Sequence, residues 1–166
     1  MEIAFTPLEF ARRARKLYGD REAVVDGALR LTYREFFARC DRWSAALQKL
    51  GVSQGDRVAC IAPNTHAHLE AYYAVPQLGA VIVPINYRLA DGDFAYIISH
   101  CGAKVVCAHP DYLDAVDRIR GQVPAVEHFV GLGPGALGSG EGWLDYEQRR
   151  ADAGPECVRP TIAEQE

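Results

Sequence analysis

Gly131, Leu132, Gly133, Pro134, Gly135 and Ala136 fit the pattern G-x-G-x-x-A directly behind an expected strand. In that register, glycine amides can cradle a pyrophosphate. Three features argue against this use. The run follows the last of the expected strands, where such a turn should follow the first. Pro134 has no amide to give, and no amphipathic helix begins behind it to present its N-terminus to an anion. A surface loop is the better reading. His66 and His68 suggest a metal, but residues two apart on a helix diverge, whereas ligand pairs sit three or four apart. They read as first-turn residues behind a cap at Asn64 or Thr65. Asp91 and Asp93 resemble a general acid–base pair, yet at a helix start they serve more naturally as cap and dipole partners. Asp114 and Asp117, beside Arg118 and Arg120, read as a solvated helix face.

No G-x-x-x-x-G-K-[ST] loop occurs in the chain. Cys60 and Cys107 fall in expected strands and read as small core residues. No complete active site is legible. No residue is therefore assigned a catalytic, cofactor-binding or metal-ligating role.

The elements that would position any site are clearer. Thr6-Pro7-Leu8-Glu9 has the form of a capping box with proline at the first helical position. The helix behind it sets Leu8, Ala11, Ala14 and Tyr18 on one face and should stop at Gly19. Residues 23–31 read as a hairpin turning at Asp26-Gly27, since Asp-Gly tolerates the positive φ angles of a type I′ turn. A second capping box, Thr32-Tyr33-Arg34-Glu35, opens a helix with Phe36, Cys40, Trp43, Leu47 and Leu50 on one face, ended by Gly51. From Gly55 onward strands and helices alternate. Strands are expected over 57–62, 80–84, 104–108 and 126–130, short and apolar enough to be buried on both faces. Helices are expected over 66–78, 92–101 and 111–120, with Pro76 kinking or ending the first. This alternation predicts right-handed crossovers and an α/β fold with an open, mostly parallel sheet. Residues 131–142 hold six of the chain's 15 glycines and read as a loop, followed by a short helix over 143–150 and a proline-containing linker. Three regions result: 1–56, with the N-terminal helix, hairpin and amphipathic helix packed on the sheet; 57–130, the parallel core; and 131–166, loop and linker.

With 166 residues, 49% of them hydrophobic, the chain can build one ordinary core. Eighteen basic against 22 acidic residues disfavour a protein that works by gripping nucleic-acid backbones, although a local basic patch remains compatible. Five cysteines with no C-x-x-C pair, and no signal peptide, read as reduced thiols in a cytoplasmic protein. The longest uncharged stretch, 71–87, is shorter than the about 20 apolar residues a membrane span needs and is broken by Pro76, Gly79 and Pro84.

Several ordered segments resemble the opening of an AMP-binding, adenylate-forming enzyme. They are Leu31-Thr32-Tyr33-Arg34-Glu35-Phe36; the run from Ala46-Leu47 through Leu50-Gly51-Val52 to Gly55-Asp56-Arg57-Val58-Ala59; Pro63-Asn64-Thr65; the run from Gly79-Ala80 to Asn86-Tyr87-Arg88-Leu89; and Gly102-Ala103-Lys104-Val105-Val106. Ala74-Val75-Pro76 and Trp143-Leu144-Asp145-Tyr146-Glu147 are most similar to acyl-CoA synthetases of fatty or related carboxylic acids. The resemblance implies a parent enzyme using ATP, Mg²⁺ and coenzyme A to turn a carboxylate into an acyl-adenylate and then a thioester. The family's phosphate loop, Tyr-Thr-Ser-Gly-Thr-Thr-Gly-x-Pro-Lys, is absent, and 161–166 resembles the run-up to it. The chain is thus expected to be an N-terminal scaffold piece, inactive alone and binding no cofactor tightly. Its partners would be the remainder of the synthetase, and its exposed apolar surface could drive homodimerisation. Pro63-Asn64 and Asn86-Tyr87-Arg88-Leu89 follow strand ends and could border the missing site, or simply cap helices and fix turns. Two other readings stay open: a free-standing nucleotide-binding module using residues 131–136, and a non-catalytic interaction domain.

Overall fold

The computed structural model describes residues 6–133, 135, 138 and 140–154. Pro134, Ala136, Cys157 and the segment 161–166 lie outside these residues. Helix α1 (Pro7–Tyr18) starts with Pro7 in its first turn, as expected. The first capping box does not form, because Glu9 turns to Arg12 one turn on, 2.9 Å away, and Thr6 makes no side-chain cap. Gly19 follows in right-handed conformation, φ −46°, so the stop there needs no left-handed glycine. Strands β1 (Glu22–Asp26) and β2 (Leu29–Thr32) form an antiparallel hairpin that pairs Asp26 with Leu29. Gly27, at φ 55°, takes the first loop position, so Asp26 closes the strand and does not sit within the turn.

Helix α2 (Tyr33–Lys49) carries the complete capping box: the Glu35 amide donates to Thr32 Oγ1 and the Thr32 amide donates to Glu35 at 2.8 Å. Replacing Thr32 by alanine should cost about 1 kcal/mol, measurable by urea denaturation. A loss below a few tenths would show that tertiary packing alone fixes this helix start.

Beyond α2, strands β3 (Arg57–Ile61), β4 (Val81–Ile85), β5 (Val105–Ala108), β6 (His128–Gly131) and β7 (Trp143–Asp145) form one parallel sheet in the order β4-β3-β5-β6-β7. The parallel sheet is the one the alternation called for. Its connections are α3 (His66–Ala74), α4 (Asp91–Cys101) and α5 (Leu113–Ile119), and α6 (Tyr146–Asp152) follows β7. Pro76 does end its helix, since α3 stops at Ala74 and residues Pro76–Leu78 form a single 3₁₀ turn.

Side chains alternate between the faces of the sheet. On one face Val58, Cys60, Val105 and Cys107 meet Trp43 and Leu47 of α2, Ala71 and Ala74 of α3, and Tyr146 of α6. On the other, Ala59, Ile61, Val106 and Ala108 meet Phe94 and Ile98 of α4 and Val116 and Ile119 of α5. Cys60 and Cys107 are fully buried neighbours across the β3–β5 ladder. A third cluster, around Ala11, Val24, Leu31, Phe36 and Phe37, fastens α1 and the hairpin to α2.

Three expectations change. Residues 143–145 are a strand, where a helix was expected to begin at 143; the helix starts at Tyr146, with Asp145 as its cap. Strand β4 is an edge strand with Val81 and Pro84 exposed, which is where a proline without an amide is tolerated. Asp117 is not part of a solvated face. Its carboxylate accepts from Arg120 Nε at 2.7 Å, Trp143 Nε1 at 2.8 Å and the Gly140 amide at 2.8 Å, binding α5 to the segment that leads into β7. Burial opposes its ionisation, but these donors outweigh burial and hold it below the usual carboxylate range.

Candidate functional site at the carboxyl ends of the strands

All five parallel strands end level. Ile85, Ile61, Ala108, Gly131 and Asp145 lie side by side as the last residues of β4, β3, β5, β6 and β7. The loops that follow therefore share one rim. From β3 the chain crosses to β4 on one side, and from β4 it returns past β3 to β5, with α3 on one face and α4 on the other. The strand order reverses between β3 and β5, and in open α/β sheets ligands bind outside the carboxyl ends at such a reversal. Pro63 and Asn64 stand above β3, and His109 stands above β5 with its amide donating to Ile61 O at 2.9 Å.

Asn86-Tyr87-Arg88-Leu89, read as either bordering a site or fixing a turn, lies on this rim above β4. Asn86 Oδ1 accepts from the Arg88 amide at 3.1 Å, the Arg88 guanidinium lies 5.5 Å over the Tyr87 ring, and Tyr87 meets Tyr112 at 5.6 Å. His109 and Tyr112, 6.3 Å apart, extend the shelf. Sequence reasoning passed over both, because only the strand order shows that 109–112 adjoins Asn64. The shelf can stack on a planar group and donate hydrogen bonds.

Asp91 and Asp93 fall in the first turn of α4, where cap and dipole partners were expected. Asp93 accepts from the Ala90 amide at 3.2 Å, and Asp91 pairs with Arg118 at 2.6 Å. Gly131 ends β6 and Leu132 is buried beneath the rim, and among the described residues the next regular element is strand β7. Among the described residues of the glycine run no helix begins that would turn its N-terminus to a phosphate. Among the described residues, no three His, Cys, Asp or Glu side chains gather as a metal would require.

The two histidines do start α3 behind a Thr65 cap, whose Oγ1 accepts from the His68 amide at 3.4 Å. Their side chains part company. His68 Nδ1 lies 3.2 Å from Pro63 O, and burial lowers its pKa, keeping the ring neutral. His66 instead joins a chain of charges. Its Nδ1 is 2.7 Å from Asp26 Oδ2, its own amide donates to the same oxygen at 2.9 Å, and its Nε2 is 3.7 Å from Glu147. Glu147 also takes Arg39 at 2.7 Å and Arg150 at 2.5 Å, while Arg39 Nε reaches the fully buried Glu70 at 2.5 Å. The Tyr146 hydroxyl donates to the other Glu70 oxygen. This network locks the hairpin, α2, α3 and α6 together behind Asn64. A cleft of about 190 Å³, lined by Val24, Val25, Asp26, Asn64, His66 and Tyr72 among others, opens beside it.

The carboxylates of Glu147 and Asp26 raise the His66 pKa above its ordinary 6.5, against the cost of burial. The charged imidazole then stabilises the fold fully below pH 6.5, and that contribution disappears as pH rises through the higher folded value. Denaturant midpoints should accordingly fall between mildly acidic and mildly alkaline pH, and His66→Gln should flatten this slope. An equal slope in the variant would remove His66 as its source.

The comparisons with known proteins agree with this architecture. The family model described as AMP-binding enzyme matches residues 10–158. A long-chain-fatty-acid–CoA ligase from Thermus thermophilus is 41% identical over 144 residues, covering 84% of this chain and 26% of that protein. The crystal structure of a long-chain-fatty-acid CoA ligase, termed putative, from Rhodopseudomonas palustris superposes with a TM-score of 0.78 at 32% identity, covering 89% of this chain and 37% of that one. An anthranilate CoA ligase bound to anthranoyl-AMP shares the fold at a TM-score of 0.88 and 23% identity, covering 96% of this chain and 30% of the other. The chain spans about a quarter of the length of the curated relatives it matches. Among its described residues no helix is long and apolar enough to cross a membrane. With the family model covering most of its length and the level-ended parallel sheet in place, the chain belongs to the AMP-binding enzyme family, as a part of the size and fold of the first segment of its CoA ligases.

Proposed function

We propose that the chain is the N-terminal scaffold of an ATP-dependent acyl-CoA ligase acting on fatty or related carboxylic acids. The parent reaction joins a carboxylate to the α-phosphate of ATP with Mg²⁺, releasing pyrophosphate, and coenzyme A then displaces AMP to leave the thioester. A carboxylate is a poor electrophile, and adenylation gives its carbon a leaving group. The observation that carries this reading is the 41% identity to a long-chain-fatty-acid–CoA ligase over most of this chain and only 26% of that protein. None of these 166 residues is assigned a catalytic role, and the phosphate-binding loop belongs to the remainder of the parent. The chain alone is inactive and binds ATP, Mg²⁺ and coenzyme A weakly or not at all. Its part is to fix Asn64, Asn86, Tyr87, Arg88 and His109 along the border of the site. The four free cysteines among the described residues fit a reducing compartment such as the cytoplasm, and pairing of two copies through uncovered apolar surface would be a property of the isolated piece.

Carboxylate-dependent exchange of pyrophosphate into ATP tests this directly. The 166-residue chain should give no exchange above buffer, and a longer polypeptide that includes the remaining segments should give robust exchange. Exchange by the short chain would overturn the scaffold assignment, and none by the longer polypeptide with any carboxylic acid would overturn the ligase.

A further inference from the structure

We propose that His66 is the pin of a proton-controlled latch, which holds the tip of the β1–β2 hairpin against the start of α3 beside the candidate site. The hairpin is fastened unevenly. Val24 and Leu31, partners across its two strands, are buried against α2 and hold its middle in place. Beyond them Val25 is 57% exposed, and the tip is tied to α3 through Asp26. Asp26 Oδ2 takes both the His66 amide, at 2.9 Å, and the His66 ring, at 2.7 Å.

The ring has two carboxylates to serve, since Nδ1 meets Asp26 of the hairpin and Nε2 meets Glu147 of α6 at 3.7 Å. An imidazolium carries an N–H on each nitrogen and answers both. A neutral ring has one N–H and turns a lone pair toward the other carboxylate. Glu147 is also held by Arg39 and Arg150, at 2.7 and 2.5 Å, and keeps its place in either state. Asp26 forms an ion pair, among the described residues, with His66 alone, so the hairpin is the side that loosens. The other charges around the ring are Glu70, one turn on in α3, and Arg39, which act in opposite senses. His109, behind β5, lies within electrostatic reach of Asp26.

Glu147, with Asp26 and Glu70, outweighs burial and Arg39 and raises His66 above its ordinary 6.5. The latch is therefore fully closed below pH 6.5 and is lost as pH rises through the higher folded value. Val24, Val25 and Asp26 form one wall of the cleft whose other wall includes Asn64, Leu69 and Tyr72. Release of the tip widens that cleft while the parallel sheet stays folded, which is a local opening within the native state. Every group in the latch belongs to this chain, so the inference goes beyond the ligase assignment and does not depend on it.

Amide hydrogen exchange of the full-length protein tests the latch, with each rate divided by the intrinsic rate at the same pH so that structural protection alone is compared. The amides of residues 25–30, and the His66 amide that donates to Asp26, should exchange through local opening, at rates insensitive to sub-denaturing urea. Their protection should fall about five- to tenfold between about pH 6 and about pH 8.5, the difference between a charge-assisted and an ordinary hydrogen bond. His66→Gln should show the lower protection at both pH values, because glutamine has no proton to lose. Asp26→Asn should lower the titration midpoint of the His66 imidazole, followed by NMR. Tip protection that is constant with pH, that responds to urea as steeply as the β3–β5 ladder, or that keeps its pH dependence in His66→Gln would overturn the latch. An unmoved His66 midpoint in Asp26→Asn would do the same.

Discussion

Arg39→Met is expected to cost about 3–5 kcal/mol, among the largest losses from any single substitution in this chain. Arg39 faces the carboxylate of Glu70, which has no exposed surface, and removing it strands that charge in the core. Burial already raises the Glu70 pKa, with Arg39 and His66 pulling the other way. Without Arg39 the carboxyl group would take up a proton far more readily. The loss should therefore be largest near neutral pH and shrink as the solution is acidified, because protonation relieves it. A double variant, Arg39→Met with Glu70→Leu, removes both charges and should recover much of the loss. Denaturant unfolding of the two proteins at neutral and mildly acidic pH makes the comparison. An Arg39→Met protein within 1 kcal/mol of the parent would mean that the network is not what holds α2, α3 and α6 together.

Trp43→Ala should cost about 3–5 kcal/mol through lost burial and the cavity left behind. Trp43 has no exposed surface, and its ring stands edge-on to Tyr146 at 4.9 Å, where α2 and α6 meet the sheet. Its indole Nε1 is buried without a hydrogen-bond partner among the described residues. Trp43→Phe gives up packing but also removes that unsatisfied donor, and should cost much less than alanine. Equal losses for phenylalanine and alanine would show that ring volume at this position contributes nothing. Because Tyr146 also donates to Glu70, the alanine variant should loosen the charge network as well, and its loss should not add simply to that of Arg39→Met.

What was legible beforehand follows the range of the forces involved. Thr32 and Glu35 lie three residues apart, so their reciprocal cap could be read directly. Phe94, Ile98 and Gly102 mark the inner face and end of α4 in the same way, and Gly102 does adopt φ 62°. The first capping box misled because an equally local competitor, Arg12, takes its glutamate. Strand β7 escaped notice since three residues carry no period; what holds them is pairing to β6 and the bond from Trp143 to Asp117, 26 positions away. Asp117 looked solvated for the same reason, its visible neighbours being only Arg118 and Arg120. The pairing of Glu70 with Arg39 was not legible, because it spans 31 positions and is set by how α2 lies on α3. The candidate site was half readable. Asn64 and the 86–89 segment stood out at strand ends, whereas His109 and Tyr112 join them only once the order β4-β3-β5 is known.

The mass of this polypeptide as it occurs in its source cells tests the central claim most directly. A scaffold segment of a ligase should be found within a species about three times heavier than 18.3 kDa, in keeping with relatives about three times its length. A native species of 18.3 kDa would contradict the ligase reading and point to a binding or regulatory domain to be traced through its partner.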